Sequence, residues 1–371
     1  MIKCQVLMDA MDSFAPRYLA EDWDNVGLLI GSPSQKINKV LTCLDVTEKI
    51  IDRAIVEHFD IIISHHPFLF RAFKRINTDR PLGRMIQKLL ANNIAVFSAH
   101  TNLDTTFGGV NDVLANRLGL SELKPLTIGY REEILKLGVN VPCDYADKVR
   151  EAIAKAGAGF IGNYKACSFQ YSGEGRFTPL EGANPFIGSQ EQNEVVAEVR
   201  IETVLSAKIK NRVVKAMLKA HPYEMPAYDI LPTQNCYYEN GIGRIGILES
   251  EMSVEDFAKK IKQSLPGDTF RLVKATDKKV KKVALCSGAG VEFLDKASMQ
   301  GADIYVTGDV KYHEAQHALE LGINLIDAGH FGTEMPVVQT IADYLIKEAN
   351  INKWQVEIVA DTNSTDVFTT I

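Results

Sequence analysis

Two stretches of the chain carry the same succession of apolar runs and amphipathic segments. KINKVLTCLDVTEKIIDRAIVEHFDIIIS (36–64) and KVKKVALCSGAGVEFLDKASMQGADIYVT (279–307) align without a gap, sharing Lys36/Lys279, Lys39/Lys282, Val40/Val283, Cys43/Cys286, Asp52/Asp295, Ala54/Ala297, Asp60/Asp303 and Ile61/Ile304. In each copy an apolar run predicts a buried strand, apolar positions at helical spacing predict a helix, and a second apolar run predicts another strand. A further helix and strand follow in both, PLGRMIQKLLANNIAVFSAH in the first and YHEAQHALELGINLIDAGH in the second. The pattern predicts an α/β fold built from two repeated βαβαβ halves with mainly parallel strands.

Between the halves the pattern changes. LKLGVNVP, YADKVREAIAKAG and YKACSFQYSG read β-α-β; after a Gly/Pro/Asn-rich stretch, EVVAEVRIE, AKIKNRVVKAMLKAH and PAYDILP read β-α-β again. A double βαβ is the ferredoxin-like arrangement, an α+β domain. Because it interrupts two matching halves, it is expected to be an inserted domain. The expected organisation is residues 1–130 as the first half, 131–240 as the insert and 241–371 as the second half.

Composition narrows the class. Of 371 residues, 46% are apolar and 24% charged, enough for sizeable cores and unlike a disordered chain. No apolar stretch approaches the ~20 residues of a membrane span, and MIKCQVLMDAMDS lacks the apolar core of a signal peptide, so a cytoplasmic location is expected. The cysteines Cys4, Cys43, Cys143, Cys167, Cys236 and Cys286 form no CxxC pair, which fits a reduced compartment and excludes a Cys-rich zinc knuckle. A net charge of −6 argues against a general nucleic-acid coat. Any nucleic-acid footprint would have to be local, on Arg71, Lys74, Arg75, Arg80 and Arg84 or on Lys274, Lys278, Lys279, Lys281 and Lys282; the lysine run is expected to be a solvated face.

The candidate chemistry lies at strand ends, where open α/β sheets place their ligands. DIIIS ends in His65-His66-Pro67, IAVFSA in His100-Thr101-Asn102-Leu103-Asp104, and INLIDAG in His330-Phe331-Gly332-Thr333-Glu334. A lone histidine is more often structural, but convergence of several at predicted strand ends points to a metal. Neighbouring side chains on a strand face opposite ways, so His65 and His66 share a site only if the backbone turns there, and Pro67 fits that ending. Imidazoles with carboxylates suit zinc, iron(II) or manganese, and so many donors exceed the needs of one catalytic ion. Two metals sharing a water are the economical reading. AHTNLD and GHFGTE each place an acid four residues after a histidine, making His100 a counterpart of His330; in the repeat alignment His66 matches Asp309.

WDNVGLLIG (23–31), SHHPFLF (64–70), AHTNLDTTFGGVND (99–112), CSGAG (286–290), TGDVKYHEAQHA (307–318) and DAGHFGTE (327–334) together resemble the Nif-three-like proteins, also called GTP cyclohydrolase I type 2 homologues. The resemblance implies a dinuclear metal site with His65, His66, Asp104, His330 and Glu334 as ligands, two divalent ions per subunit with zinc first and iron or manganese as alternatives, and a toroidal homohexamer. It also implies that 131–240, including HPYEMPAYDI, is an insert similar to the PII/CutA-like ferredoxin fold. His100 is not a usual ligand in that family, which moves it to a supporting position.

Paired metals activate water for opening a purine ring or for phosphoester hydrolysis. The expected function is therefore a metal-dependent hydrolase of a nucleotide or related phosphorylated compound, with a non-catalytic regulatory scaffold carrying a small-molecule-sensing insert as the alternative. The arginine segment after Pro67 and the amides of Ser287–Gly290 are both candidates for an anion, against a solvated surface and a tight βα turn respectively. His313 and His317 share one helix face, and His221 is expected to be structural. Asp45 and Asp309 could orient ligands, move protons or cap helices.

Overall fold

Ile61, Ile62 and Ile63 are buried on both sides of their strand, as a parallel strand covered by helices on each face requires. The computed structural model describes residues 1–369, so the last two positions of the expected segment 241–371 lie outside the described residues. The chain divides into two compact units, Met1–Tyr130 with Asn240–Ile371, and Arg131–Glu239.

The first unit holds two large sheets. One has the order Glu357–Ala360, Lys39–Cys43, Ile61–Ser64, Ala95–Ser98, Gly27–Ile30, parallel except for the last strand. The other has the order Arg271–Val273, Asn324–Asp327, Ile304–Thr307, Val280–Leu285, Arg244–Met252, Leu120–Pro125. Its central three strands, Asn324–Asp327, Ile304–Thr307 and Val280–Leu285, are parallel, and the flanking ones antiparallel. Each sheet thus carries one parallel ββ-β core from one copy of the repeat. The edges exchange: the late strand Glu357–Ala360 completes the early sheet, and the early strand Leu120–Pro125 completes the late one.

Several identities in the repeat have a visible cause. Asp60 Oδ2 accepts the Asn38 and Lys39 N–H groups at 2.6 and 3.0 Å, and Asp303 Oδ2 accepts those of Lys281 and Lys282 at 3.0 and 2.8 Å. In both halves the acid beginning the second strand pins the start of the first. Ala54 and Ala297 are fully buried where a helix meets its sheet, and Cys43 and Cys286 are buried where the first strand of each half ends. The helix Glu48–Val56 starts at Thr47, whose hydroxyl accepts the Ile50 N–H, while Tyr312–Leu321 stops at Gly322, which is left-handed at φ 70°. The lysine run pairs with carboxylates: Lys274 with Glu255, Lys278 with Asp303 and Lys279 with Glu251.

The second unit has strands Tyr130–Pro142, Ser168–Phe177, Glu194–Ser206 and Tyr228–Asn240, with helices Ala146–Lys155 and Lys210–Ala220 after the first and third. In chain order its sheet reads 4-1-3-2. Val139, Val141, Val149, Ile153, Val199, Ile201, Val213 and Met217 form its own core.

Arg244 is fully buried in the first unit, with Nη2 and Nε donating to Asp112 Oδ2 at 2.6 and 3.0 Å and further N–H groups meeting the Gly241, Gly243 and Thr106 carbonyls. Arg244→Met strands the Asp112 carboxylate, and unfolding in urea should show a loss of about 3–5 kcal/mol; an unchanged midpoint would refute the assignment. The chain leaves and re-enters this unit between hydrogen-bonded neighbours, Thr127 N–H to Ile242 O at 3.1 Å and Gly129 N–H to Asn240 O at 3.0 Å. Replacing residues 131–239 with a short Gly/Ser linker should therefore preserve a cooperative thermal transition and native far-UV dichroism, whereas a chain without tertiary structure would contradict this boundary.

Candidate metal centre

Four histidines stand just beyond parallel strands, each held by one ring nitrogen. The N–H groups of His65 and His66 bond the Cys43 and Leu44 carbonyls at 3.2 and 3.0 Å, and the Ser64 hydroxyl donates to the His66 carbonyl at 2.8 Å. This local turn brings the adjacent imidazoles to within 5.0 Å, centroid to centroid. His65 Nδ1 donates to the Ala99 carbonyl at 2.9 Å, His66 Nδ1 meets Asp45 at 2.8 Å, and His330 Nδ1 meets Asp309 at 2.7 Å. His100 Nδ1 meets Asp24 at 3.0 Å. With Nδ1 engaged in this way, each Nε2 lone pair is left for another task, the usual arrangement behind metal-binding histidines.

The Nε2 atoms converge with two carboxylates. Glu334 Oε2 lies 2.8 Å from His66 Nε2 and 3.0 Å from His330 Nε2, and those two nitrogens are 3.3 Å apart. His65 Nε2 is buried without a hydrogen-bond partner, 3.7 Å from Asp104 Oδ1 and 3.9 Å from Glu334 Oε1. Three overlapping sets have ligand atoms within 4.8 Å of one another: His65, His66 and His100; His66, His330 and Glu334; and His65, Asp104 and Glu334. An orphaned buried nitrogen and two nitrogens converging on one oxygen are poorly satisfied by hydrogen bonds alone. They fit a cation among nitrogen and oxygen donors.

Electrostatics point the same way. Burial opposes charge on His66 and His330, yet Asp45 with Glu334 holds the His66 pKa up to about 10, and Glu334 with Asp309 holds that of His330 up to about 9. Burial alone would raise the Glu334 carboxyl, but three imidazoles hold it well below the usual range; burial and the neighbouring Glu334 charge push Asp104 up. The cluster demands positive charge, which protons supply in the absence of metal and a divalent ion would supply in their place. Asp24, for which burial is outweighed by bonds from His100 and Thr101, falls to about 2 and serves as a fixed anion behind His100.

The five residues expected as ligands, His65, His66, Asp104, His330 and Glu334, lie together, with His100 at the edge beside His65 and His66. Asp45 and Asp309 both face imidazoles, and the caps of the following helices are Thr47 and Lys311 instead. Three of the four amides of the SGAG turn are engaged: Ser287 N–H bonds Asn111 Oδ1, Gly288 N–H bonds Thr333 Oγ1 and Gly290 N–H bonds Thr307 Oγ1. With those three amides taken, the turn does not present a full set of N–H groups to an anion. Gly288, at φ 59°, is required there because a Cβ would strike the Glu334 carboxylate. His313 and His317 sit outside the cluster, with His317 paired to Asp295. Sequence reasoning missed Asp24, Asn111 and Thr333, whose local sequence carries no metal-site spacing.

A cleft of about 940 Å³ opens beside His66 and His330, with Asp45, Asp309, Arg271 and Phe331 in its walls. Its one arginine is Arg271, bonded to Asp327 and to the Val310 carbonyl; the arginines following Pro67 do not line it. On the His100 side stand Trp23 and Phe70, 60% and 47% exposed, with ring centroids 5.9 Å apart and each ring 6.2–6.3 Å from His100.

A repeated α/β frame with a histidine–carboxylate cluster at the strand ends defines a class, and the sequence comparison assigns it. The chain belongs to the Duf34/NIF3 (NGG1p interacting factor 3) family, whose profile matches residues 2–366. It is 43% identical over 365 residues to a Bacillus subtilis (strain 168) protein called GTP cyclohydrolase 1 type 2 homolog, covering 98% of each chain. A Halalkalibacterium halodurans protein of the same description is 43% identical over 367 residues, 99% of this chain and 98% of its own. Among solved structures, a Bacillus cereus protein related to NIF3 superposes with a TM-score of 0.89 at 42% identity, covering 100% of this chain and 99% of that one.

Glu334→Gln and His66→Ala should each lower the divalent metal that co-purifies with the protein, read by elemental analysis, while His313→Ala on an exposed helix should not. Equal metal content in all four proteins would rule out a role for this cluster in holding metal.

Proposed function

We propose that the chain is a metal-dependent hydrolase of a nucleotide or related phosphorylated compound, with His65, His66, Asp104, His330 and Glu334 holding two divalent ions, zinc first and iron or manganese as alternatives. The observation that carries this reading is the buried, unpartnered His65 Nε2 in a cluster whose other imidazoles are anchored through Nδ1. Such a pair of ions supplies Lewis acidity and acidifies water for attack on a ring carbon or a phosphorus.

The chain's own residues prepare that chemistry. Ala99 O, Asp45 and Asp309 fix the tautomer and direction of three imidazoles. Arg271, exposed in the cleft beside His330, offers N–H donors to a phosphate. Trp23 and Phe70 offer flat faces on which a base can stack, an interaction open to any base because each has a π-face. The name shared by the relatives agrees with a nucleotide substrate.

The rest of the reading follows the family: a cytoplasmic homohexamer in which unit Arg131–Glu239, with its β-α-β-β-α-β order, is a ferredoxin-like insert of the PII/CutA type. No helix among the described residues is long and apolar enough to cross a membrane. The regulatory-scaffold reading keeps one supporting observation, a separate walled cavity inside that unit.

The test is turnover of GTP, other nucleotides and phosphodiesters by protein fully loaded with zinc, iron or manganese. Activity should fall with metal content in Glu334→Gln and His66→Ala, and Arg271→Ala and Trp23→Ala should raise KM with metal content intact, the mark of lost substrate binding. No turnover of any of these substrates with any of these metals overturns the hydrolase reading in favour of the scaffold.

A further inference from the structure

On the strand Glu194–Ser206, Val199 and Ile201 point into the helix-covered core of unit Arg131–Glu239, so Glu198, at the opposite parity, points to the other face. A glutamate there is normally solvated. Glu198 instead retains only 7% of its exposure, because it lies in the wall of a cavity of about 300 Å³ formed with Phe177, Pro185, Phe186, Tyr223 and Met225. One glycine, Gly175, lines the cavity beneath the carboxylate. Gly173 pairs with Glu198 and Gly175 with Val196 on the neighbouring strand, and a Cβ at Gly175 would come within 2.5 Å of the Glu198 carboxylate. The missing side chain at Gly175 leaves the carboxylate room, and Phe177, two residues on, then raises a wall on the same face.

The walls are aromatic. Tyr223 has Phe177 and Phe186 at 6.0 and 6.4 Å between centroids, and its hydroxyl donates to Glu198 at 2.9 Å. His221 fixes Tyr223 in place: its Nε2–H donates to the Asn140 carbonyl at 2.9 Å and its Nδ1 accepts the Tyr223 N–H at 3.0 Å. That pattern belongs to the neutral imidazole, and burial lowers the His221 pKa, so His221 supplies no charge to Glu198. The lining has one basic residue, Arg176, and it is paired with Glu174 at 3.0 Å. Among the described residues no cation pairs with Glu198, while a second acid, Glu224, lines the same space.

A buried carboxylate with one hydroxyl donor and no counter-ion is costly to keep. We propose that this cavity is a binding site for a small organic cation, an alkylammonium group seated among Phe177, Phe186 and Tyr223 with Glu198 as its counter-ion. Aromatic faces are negative at their centres and attract such a group, and the carboxylate supplies the full charge. An anion would be repelled, and a neutral molecule would leave Glu198 uncompensated. A divalent metal lacks ligands, since none of the clusters able to hold one among the described residues includes Glu198. The volume is at the small end for ligand pockets, which suits a headgroup. Phe186, 49% exposed at the mouth, is the ring that such a guest would cover.

The experiment is calorimetric titration of the full-length protein with choline, and with its neutral carbon isostere 3,3-dimethylbutan-1-ol. Choline should bind, the isostere at least about tenfold more weakly, and Glu198→Gln and Phe186→Ala should each weaken choline binding by about tenfold or more. Phe169→Ala, on an exposed ring outside the cavity, serves as the control and should bind choline as the parent does. Because Phe186 is half-exposed, its replacement keeps the test available if Glu198→Gln fails to fold. Three results would each overturn the proposal: no binding of choline, tetramethylammonium or butylammonium at up to about 10 mM, equal binding of choline and its isostere, or undiminished choline binding by folded Phe186→Ala. The metal cluster is not involved, so loss of choline binding leaves metal content untouched.

Discussion

Burying Asp104 and Glu334 among three imidazoles is unfavourable unless positive charge comes with them, and much of the first unit serves that condition. Within three overlapping sets, each with ligand atoms less than 5 Å apart, two carboxylates compete for the same cations and His65 Nε2 has no hydrogen-bond partner. Such a cluster survives only if the backbone around it is rigid, because relaxation would let each group seek water. Rigidity comes from the strand ends: His65 and His66 continue a ladder with Cys43 and Leu44, and Glu334 is admitted by Gly288, whose own amide is tied to Thr333.

The internal repeat explains how one site acquires unlike donors. At corresponding positions the first half has Asp45, His65 and His66 where the second has Gly288, Gly308 and Asp309. His100 and Asp104 answer to His330 and Glu334. In the second half Asp309 orients His330; in the first, the equivalent place is taken by His66, which points its own Nε2 inward. His100 therefore needs a different anion, and Asp24 comes from the loop before Gly27–Ile30 to provide it. Where Asp45 orients His66, its counterpart Gly288 makes way for Glu334. Symmetry of the frame and asymmetry of the donors are thus achieved by exchanging side chains at fixed strand ends.

Much of this was legible in the chain. Apolar runs between Lys39 and Ser64 and between Val280 and Thr307 predict buried parallel strands because burial on both faces removes the need for alternation, and histidines directly after them read as a site. Long-range matters were not legible. Glu357–Ala360 pairs with Lys39–Cys43 across most of the chain, and nothing local to either strand specifies that partner. Asp24 is one acid in a loop until the fold sets it against His100. The SGAG glycines suggested an anion loop because backbone amides at a strand-to-helix turn look alike in sequence; only the side chains of Asn111, Thr333 and Thr307 reveal that three of the four amides are already engaged. The arginines after Pro67 drew attention by density, whereas the arginine that lines the cleft is Arg271, an isolated residue on a three-residue edge strand.

The two units meet the problem of buried charge in contrasting ways. In the first, Arg244 answers Asp112 with a guanidinium saturated by carbonyls and carboxylate, so the pair is complete and needs nothing from outside. The histidine cluster is incomplete in the opposite sense, rich in lone pairs and short of cations. Glu198 stands between these cases: one hydroxyl satisfies part of its hydrogen bonding, but the rings around it can neither donate a second strong bond nor carry a positive charge. Structural ion pairs close upon themselves, and sites stay open toward the species they bind. By that criterion Arg244 with Asp112 belongs to stability, whereas the histidine–carboxylate cluster could hold a metal ion and Glu198 faces its aromatic cavity without a cationic partner among the described residues.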